Sequence, residues 1–153
     1  MVELEGCKVN LKIKLLKKDA QIPEYQTEGA AAVDLHASID EPITLQPMGR
    51  AIVPTGIAVE LPKGYELQLR ARSGLSLKQG LGLVNGVGTV DSDYRGEVCA
   101  LVINWGNEPI EITNGMRIAQ AVIAKYEHVT WDVSEELQTS ERGLKRFGST
   151  GTH

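Results

Sequence analysis

Apolar and polar residues alternate over short stretches along most of the chain, and this period of two predicts strands with one buried and one solvated face. The alternation is clearest in residues 9–15 and in residues 65–70. Residues 98–103 are almost continuously apolar, which indicates a strand covered on both faces, by this chain or by another subunit. The remaining predicted strands and apolar runs are short and lie at residues 30–37, 43–45, 51–53, 57–61 and 116–124.

Proline and glycine divide the chain too often for long helices, and they place tight turns between the predicted strands, including one between residues 53 and 57. One short helix is expected at residues 75–79, with Ser73 as its amino-terminal cap and Gly80 as its end. Many short strands with at most one short helix predict an all-β fold, a jelly-roll-like distorted β-barrel.

The composition is that of a globular protein, because 42% of the residues are apolar and 24% are charged. A chain of 153 residues is long enough to bury one substantial core, and we expect one β-barrel domain in residues 1–133. Residues 134–153 are polar and rich in glycine, so we expect a flexible carboxy-terminal tail.

Charge and hydropathy narrow the classes of partner. The formal net charge of −4 argues against a general nucleic-acid binder, because a negative surface repels phosphate. No apolar run approaches the length of a membrane span, and the amino terminus lacks the pattern of a signal peptide. We therefore expect no membrane partner and an intracellular, cytoplasmic location, or a nuclear one in a eukaryotic or viral setting. Cys7 and Cys99 are expected to be unpaired thiols, and the three histidines lack the spacing of a zinc site.

The most unusual stretch comprises residues 85–97, which begin with Asn85-Gly86, the pair most typical of a tight hairpin turn. Gly88 follows, and then two aspartates, a tyrosine, an arginine and a glutamate occur within a few residues. An aspartate that orients water, beside an aromatic ring and an arginine, would make a reaction centre. The same composition also suits a solvated loop, so the stretch alone leaves both interpretations open.

Several other positions carry candidate chemistry. Arg70 and Arg72 precede the predicted helix, whose free backbone N–H groups would join the guanidinium groups in an anion site. An exposed, capped turn is the alternative. Asp34 is the one charge in its segment, and a position on the solvent face would explain it as well. Gln120, between two alanines, is more often a hydrogen-bonded core or edge residue than a ligand contact.

The tail combines positive charge with hydroxyl groups and flexible backbone. Arg142, Lys145 and Arg146 lie beside the Gly-Ser-Thr-Gly sequence of residues 148–151, and these are the ingredients of a phosphate clamp. Phe147 is the only phenylalanine in the chain and is free to stack on a ligand. A tail that orders over an anionic ligand would act as a lid, and the alternative is a disordered end with a basic cluster.

Taken together and in order, these patches resemble the five motifs of the trimeric dUTP pyrophosphatase family. They comprise residues 32–37, 72–75, 85–97, 117–120 and 142–151. One such motif arises easily by chance, whereas five in order along one chain are highly specific. Ala32, Ala71 and the pair Lys145-Arg146 depart from the family's usual residues.

The resemblance implies an enzyme that hydrolyses dUTP to dUMP and pyrophosphate, which limits uracil incorporation into DNA and supplies dUMP for dTMP synthesis. It implies a homotrimer of jelly-roll subunits with active sites shared between chains, residues 1–133 being the catalytic barrel and residues 134–153 the lid. Asp91 would orient the water that attacks the α-phosphorus. Mg²⁺ would be held mainly by phosphate oxygens and water, and not by a metal site built from the protein.

The residues to which the resemblance assigns substrate binding are Arg72, Ser73, Gly74, Asn85, Gly88, Tyr94, Gln120, Arg142, Phe147, Gly148, Ser149 and Thr150. Asn85 and the adjoining backbone would contact uracil, and Tyr94 would pack on the deoxyribose where a 2′-hydroxyl would clash. The residues around the short helix, together with Gln120, would hold the phosphates, and Asp34 would support them indirectly. The tail would bind the γ-phosphate end while Phe147 stacks on uracil.

Two other functions are compatible with a related fold. A dCTP deaminase needs a catalytic glutamate in the strand after the aspartate, and residues 98–104 contain no carboxylate. A non-catalytic nucleotide-binding regulator would be favoured by loss of the water-orienting aspartate or of the tail, and this chain keeps both. Hydrolysis of dUTP is therefore the function that the sequence predicts.

Overall fold

The computed structural model describes residues 9–147 and residue 150. These residues form ten strands and one short helix. The strands are β1 (Lys12–Leu15), β2 (Val33–His36), β3 (Ile43–Leu45), β4 (Arg50–Glu60), β5 (Tyr65–Arg70), β6 (Leu81–Leu83), β7 (Gly88–Val90), β8 (Glu97–Asn104), β9 (Ile110–Ile112) and β10 (Arg117–Lys125), and the helix α1 is Ser73–Gln79.

The strands form two four-stranded antiparallel sheets and one small two-stranded sheet. The first sheet has the order β1-β4-β8-β6, the second has the order β2-β10-β5-β7, and β3 pairs with β9. The predicted all-β, jelly-roll-like class with one short helix is confirmed. In the part of the chain that the structure describes, no helix is long and apolar enough to span a membrane.

The core lies between the inner faces of the sheets, where alternate strand residues meet. Val53, Val102 and Ile112 have no exposed surface, and burying an aliphatic side chain of this size contributes about 1.5–3 kcal/mol. The outer face of β8 differs from the prediction, because this chain does not cover it fully. Leu101 is 37% exposed and its cross-strand partner Ile52 is 65% exposed, which leaves an apolar patch on the surface.

Strand β4 corrects the prediction of two strands at residues 51–53 and 57–61. It is one strand of 11 residues, in which the pairing with β8 shifts register between Pro54 and Ala58. This bulge accommodates a proline and a glycine inside a sheet, where both residues would otherwise indicate a turn. Thr55 Oγ1 donates to Val98 O at 2.5 Å, and the N–H of Gly56 donates to Glu97 Oε1 at 2.7 Å. The bulge is therefore attached to the start of β8.

The turn at Asn85-Gly86 is present, but it does not close a hairpin as predicted. Gly86 has a positive φ of 72°, and its N–H donates to Leu83 O at 3.0 Å. The strands on either side belong to different sheets, because β6 pairs with β8 whereas β7 pairs with β5. The turn therefore carries the chain from one sheet to the other.

Helix α1 begins one residue earlier than a Ser73 cap would require. Its N-cap residue is Arg72, which has extended φ and ψ angles and makes no side-chain capping hydrogen bond. The prediction of Ser73 as the cap is wrong, because Ser73 is already helical. The Arg72 side chain does not cap the helix either, since it bonds Asp34. Gly80 ends the helix in the left-handed conformation at φ 77°, as predicted.

Free Cys99 is partly buried and unpaired among the described residues, as predicted for it. The prediction for Cys7 lies outside the described residues.

The bulge in β4 yields a prediction for stability. An alanine at Gly56, where φ is +71°, would place its Cβ 2.7 Å from both Ala20 Cβ and Ser38 Oγ. The left-handed conformation costs an alanine about 1–2 kcal/mol, and forced contacts in a packed site cost about 1–3 kcal/mol more. We expect Gly56→Ala to lower the free energy of unfolding by about 3 kcal/mol in urea titrations at one protein concentration.

The matched control is Gly64→Ala, since Gly64 also has a positive φ, of 90°, but no atom lies within 4 Å of the position that the new methyl group would occupy. It should show the conformational cost alone, about 1–2 kcal/mol. Equal losses for the two variants would mean that close packing at the bulge contributes nothing.

Candidate active site

A cleft of about 390 Å³ brings together four of the candidate site residues, three assigned to substrate binding and one to the orientation of water. They are Asn85, Gly88, Asp91 and Tyr94. The side chains of Leu69, Val90 and Leu101 supply apolar walls. Its volume is in the range of small-molecule sites, which combine apolar walls with a few polar groups.

Gly88 permits a close approach on one side of this cleft. It pairs with Leu69 across β7 and β5, and a Cβ there would lie 3.0 Å from Leu69 Cβ and 3.5 Å from Asn85 Nδ2. A side chain at this position would therefore crowd both neighbours. Glycine therefore allows β7 to pack closely against Leu69 and Asn85 at the wall of the cleft.

The loop between β7 and β8 carries both Asp91 and Tyr94. The N–H of Tyr94 donates to Asp91 O at 3.1 Å, and its hydroxyl donates to Glu97 O at 2.9 Å. These bonds fold the loop so that the exposed Asp91 lines the 390 Å³ cleft and also a larger cavity of about 760 Å³ beside it. An exposed carboxylate at the junction of two cavities is accessible to both a ligand and water.

A second group of charged side chains is centred on Asp34. Its Oδ1 accepts a hydrogen bond from Arg72 Nε at 2.8 Å, and its Oδ2 accepts one from Arg117 Nη1 at 3.3 Å. Only 15% of the Asp34 side chain is exposed, so these charge-assisted bonds are partly shielded from water. The carboxylate holds two guanidinium groups side by side that would otherwise repel each other, so the candidate cations form an organised cluster.

Gln120 connects this cluster to the segment that enters α1. It pairs with Asp34 in β2 on one side and with Arg70 in β5 on the other, so the three side chains lie on the same face of the sheet. Its Nε2 donates to Ala71 O at 2.9 Å, next to Arg72. Gln120 is therefore the hydrogen-bonded residue that the sequence offered as one alternative, and it lies beside the candidate phosphate residues.

Ser73 and Gly74 form the first turn of α1 immediately after Arg72 and are both exposed. Nothing lies within 4 Å of a Cβ built at Gly74, so the space outside this turn is open. A ligand can therefore reach this turn from the solvent side.

One chain does not bring Asp91 and Gln120 together. Val90 pairs with Leu67 on one edge of β5, whereas Gln120 pairs with Arg70 on the other edge, farther along the strand. At about 3.3 Å per residue and about 4.8 Å per strand, Asp91 and Gln120 are roughly 15 Å apart. This distance joins backbone positions, and the two residues lie on opposite edges of β5 within one chain.

The segment that leads into the tail is exposed. In it, Val129, Trp131 and Val133 alternate and are 64%, 89% and 96% exposed. Farther on, Arg142, Phe147 and Thr150 are exposed too. The predicted contacts of Gly148 and Ser149 lie outside the described residues. The assignment of residues 134–153 to a lid stays a prediction.

Two arginines within the motif patches received no individual role from the sequence. Arg117 belongs to the patch of residues 117–120, and only the fold shows that it shares Asp34 with Arg72. Arg95 belongs to the stretch of residues 85–97, and its guanidinium group hydrogen-bonds the backbone of the Asp91 loop. The sequence signal that could have identified them is that each lies inside one of the motif patches.

His36 lies beside the Asp34 cluster and has a shifted pKa. Burial lowers the pKa of His36 below its ordinary value of 6.5, the charge of Asp34 raises it, and Arg117 and Arg72 lower it again. Its Nδ1 is buried and has no hydrogen-bond partner among the described residues. The folded protein therefore favours the neutral imidazole.

The dUTPase family model matches residues 18–151 of this chain. The chain is similar to the deoxyuridine 5'-triphosphate nucleotidohydrolase of Treponema denticola, with 57% identity over 136 residues, covering 89% of this chain and 94% of that protein. The corresponding protein of Orientia tsutsugamushi is 49% identical over 132 residues, covering 86% of this chain and 89% of its own length.

Solved structures show the same similarity. The Staphylococcus bacteriophage 80alpha dUTPase with dUPNHPP superposes with a TM-score of 0.84 at 31% identity, covering 93% of this chain and 98% of that chain. A mutant of that enzyme with dUpNHpp has a TM-score of 0.82 at 32% identity over the same shares of the two chains.

Because His36 lies beside the Asp34 cluster, removing the charge of Asp34 should shift the pKa of His36. Asp34 raises the pKa of His36, so we expect Asp34→Asn to lower that pKa further, and Arg117→Met to raise it. An NMR titration of the His36 ring would measure both. The control is Asp40→Asn, which removes a carboxylate that pairs with Lys17. In this variant the pKa of His36 should be unchanged.

A lowered pKa also determines how stability depends on pH. The unfolded state binds more protons than the folded state from the folded pKa of His36 up to about 6.5, so this group makes stability rise with pH through that window. A His36→Gln variant should lose that component. An unchanged pH profile in the variant would show that His36 is not responsible.

Proposed function

The chain belongs to the dUTPase family, and from this membership we propose that it hydrolyses dUTP to dUMP and pyrophosphate. The family resemblance carried by the sequence patches is confirmed. The observation that best supports this activity in the chain itself is the cleft where Asn85, Gly88, Asp91 and Tyr94 meet. In a cell this reaction would limit uracil incorporation into DNA and supply dUMP for dTMP synthesis.

The cleft of about 390 Å³ would hold the nucleoside. Asn85 and the backbone of the turn that it begins, which is exposed, would offer hydrogen-bonding groups to the edge of uracil. The Tyr94 ring would pack on the deoxyribose, because its hydroxyl is already held by Glu97 O at 2.9 Å and the ring cannot swing away freely. A ribose would then place its 2′-hydroxyl against the ring, which favours dUTP over UTP.

Asp91 would orient and deprotonate the attacking water. The oxygen of that water forms a bond to the α-phosphorus while the bond from that phosphorus to the bridging oxygen of pyrophosphate breaks, and the proton passes to the carboxylate. The carboxylate must be within hydrogen-bond reach of the water and in line with the leaving group. The exposure of Asp91 at the wall of the cleft meets the first of these requirements.

The phosphates would be held by Arg72, the exposed first turn of α1 with Ser73 and Gly74, and Gln120. Asp34 acts indirectly, because it bonds Arg72 at 2.8 Å and so fixes the direction of that guanidinium group. Gln120 supports the same segment through Ala71 O at 2.9 Å and thereby helps to position the α-phosphate.

The separation of Asp91 and Gln120 supports an active site that is shared between chains. With roughly 15 Å between their backbone positions in one chain, a second copy would supply one of the two groups to the same α-phosphate. The exposed apolar residues Ile52 and Leu101 line the nucleoside cleft, so a second copy that packs there would complete the same site. We therefore keep the homotrimer as part of the proposal, with the tail residues Arg142, Phe147, Gly148, Ser149 and Thr150 closing over the triphosphate as a lid.

Mg²⁺ fits this arrangement as an ion carried by the nucleotide. Among the described residues, no group of three or more His, Cys, Asp or Glu side chains could hold a metal ion. Mg²⁺ often keeps several waters and binds through substrate phosphates with one or two carboxylates. Bound there, the ion would neutralise charge on the triphosphate, and Arg72 and Arg117 would add to that effect.

The alternatives have less support. In β8 the one carboxylate is that of Glu97, and its Oε1 already accepts the Gly56 N–H at 2.7 Å, so the glutamate that a dCTP deaminase needs is not provided. A non-catalytic nucleotide-binding regulator would have no use for an exposed aspartate in the nucleoside cleft.

The function is tested with Mg²⁺ and a panel of dUTP, dCTP, dTTP and UTP, with identification of the products. We expect dUMP and pyrophosphate from dUTP alone. In the same assay, Asp91→Asn should retain dUTP binding and lose about 10²–10⁴-fold in kcat, because it cannot accept the proton of the water.

The matched control is Asp93→Asn, which removes a carboxylate from the same loop but from the wall of the neighbouring 760 Å³ cavity only. Its kcat should remain close to that of the wild type. A deaminated product from dCTP would favour the deaminase, tight dUTP binding without turnover would favour the regulator, and near-normal kcat in Asp91→Asn would remove Asp91 from the mechanism.

Sharing of sites between chains is tested by mixing two inactive variants. Asp91→Asn and Arg72→Met are unfolded together in equal amounts and refolded. If each site takes Asp91 from one chain and Arg72 from another, both groups are intact in about one quarter of the sites, since each is intact with a probability of one half. We therefore expect about one quarter of wild-type activity, and activity no higher than that of the separate variants would place each site within one chain.

A further inference from the structure

Arg95 makes an unusual pair of contacts in the loop that joins β7 to β8. Its Nη1 donates to Ser92 O at 2.7 Å and to Tyr94 O at 3.0 Å. One guanidinium nitrogen carries two hydrogens, so it can donate to both carbonyl groups at once. Donors with a full charge form stronger hydrogen bonds than neutral ones, so the two carbonyl groups are held together by one side chain.

This loop has no sheet partner to define its course. Strand β7 ends at Val90 in the second sheet and β8 begins at Glu97 in the first, so the residues between them leave both ladders. Backbone outside a ladder relies on turn and side-chain hydrogen bonds to adopt one conformation. The two carbonyl groups bound by Arg95 flank the middle of this segment.

The two sides of the loop are attached to the barrel separately. Ser92 Oγ lies 3.1 Å from the hydroxyl of Tyr126 at the end of β10, and Glu97 Oε1 accepts the Gly56 N–H at 2.7 Å. Neither contact fixes the relative positions of Asp91 and Tyr94, which lie three residues apart. Within the loop, the N–H of Tyr94 donates to Asp91 O at 3.1 Å, and Arg95 reinforces this turn because it binds the carbonyl groups of Ser92 and Tyr94.

The geometry of Arg95 matters here more than its charge. Arg95 is exposed, so the field of its charge at the substrate is screened by water. Lys63 lines the same 760 Å³ cavity as Arg95 and Asp91 and carries the same charge. No hydrogen bond joins Lys63 to the loop among the described residues. A planar guanidinium group can hold two carbonyl groups in a fixed arrangement that a lysine ammonium group reproduces only in part.

We infer that Arg95 is a positioning residue that fixes the loop bearing Asp91 and Tyr94 before substrate binds, so that the water-orienting carboxylate and the sugar-contacting ring act from one rigid unit. This inference rests on the proposed function for the roles of Asp91 and Tyr94. It adds a residue that acts on both the rate and the choice of sugar through the backbone of the loop.

The kinetic test compares Arg95→Lys and Arg95→Gln with the control Lys63→Gln. Small displacements of a catalytic group can lower a rate by up to about 100-fold, so we expect kcat for dUTP to fall about 10–100-fold in Arg95→Gln. KM should change less than kcat, and the preference for dUTP over UTP in kcat/KM should decrease because the Tyr94 backbone is released. Arg95→Lys should recover part of both, while Lys63→Gln should behave like the wild type.

Hydrogen exchange of the unliganded proteins tests the same inference without substrate. We expect the segment from Asp91 to Glu97 to exchange faster in Arg95→Gln and to keep its wild-type rate in Lys63→Gln, with the thermal unfolding midpoint close to wild type in both. If Arg95→Gln does not fold, the same two measurements on Arg95→Lys decide the question.

The outcomes separate the inference from the proposed function. An active wild type with unchanged kcat and unchanged exchange in the Arg95 variants would overturn the role of Arg95 alone. Equal losses in Lys63→Gln and Arg95→Gln would overturn it too, since charge would then be sufficient. A wild type that does not hydrolyse dUTP would refute the proposed function, and the exchange measurement would still decide whether Arg95 fixes the loop.

Discussion

The register of β5 against its two neighbours is the constraint on which the candidate site depends. Gln120 pairs with Arg70 on one edge, and Val90 pairs with Leu67 on the other. Because β7 is antiparallel to β5, the chain moves away from the Arg70 end as it approaches Asp91. A slip of one residue would turn the buried side chains of β5 to the solvent, so the apolar pattern that stabilises the sheet also fixes how far apart the chemical groups lie.

The sequence predicts this fold best where one local signal acts alone. Alternation identified β1 and β5, and Gly80 marked the end of α1 because a left-handed residue is needed there. Strands of three residues, such as Leu81–Leu83, are too short to show a period. Pro54 and Gly56 indicated a turn inside β4, yet the bulge accommodates both, because Thr55 and Gly56 bond to β8. Whether a proline and a glycine form a turn or a bulge therefore depends on a strand that is distant in the sequence.

The candidate site, too, was predictable from the sequence only where its residues are close together along the chain. The candidate polar residues of the nucleoside cleft are close together in the sequence, so their composition marked the stretch as unusual, and the family resemblance then assigned their roles. The cluster around Asp34 was not visible as a unit, because Arg117 is 83 positions away from it and only sheet pairing brings the two together. The hairpin predicted at Asn85-Gly86 also fails for a non-local reason, since the flanking strands find better partners in separate sheets.

The contact between Gly56 and Glu97 links the middle of a core strand to the loop that follows Asp91. A change in how β4 packs therefore reaches the reaction centre through one carboxylate, although no residue of the bulge lines the nucleoside cleft. Inherited variation at such a position would alter turnover while leaving every substrate contact intact. Selection on enzyme activity thus acts on the interior of the barrel as directly as on its surface.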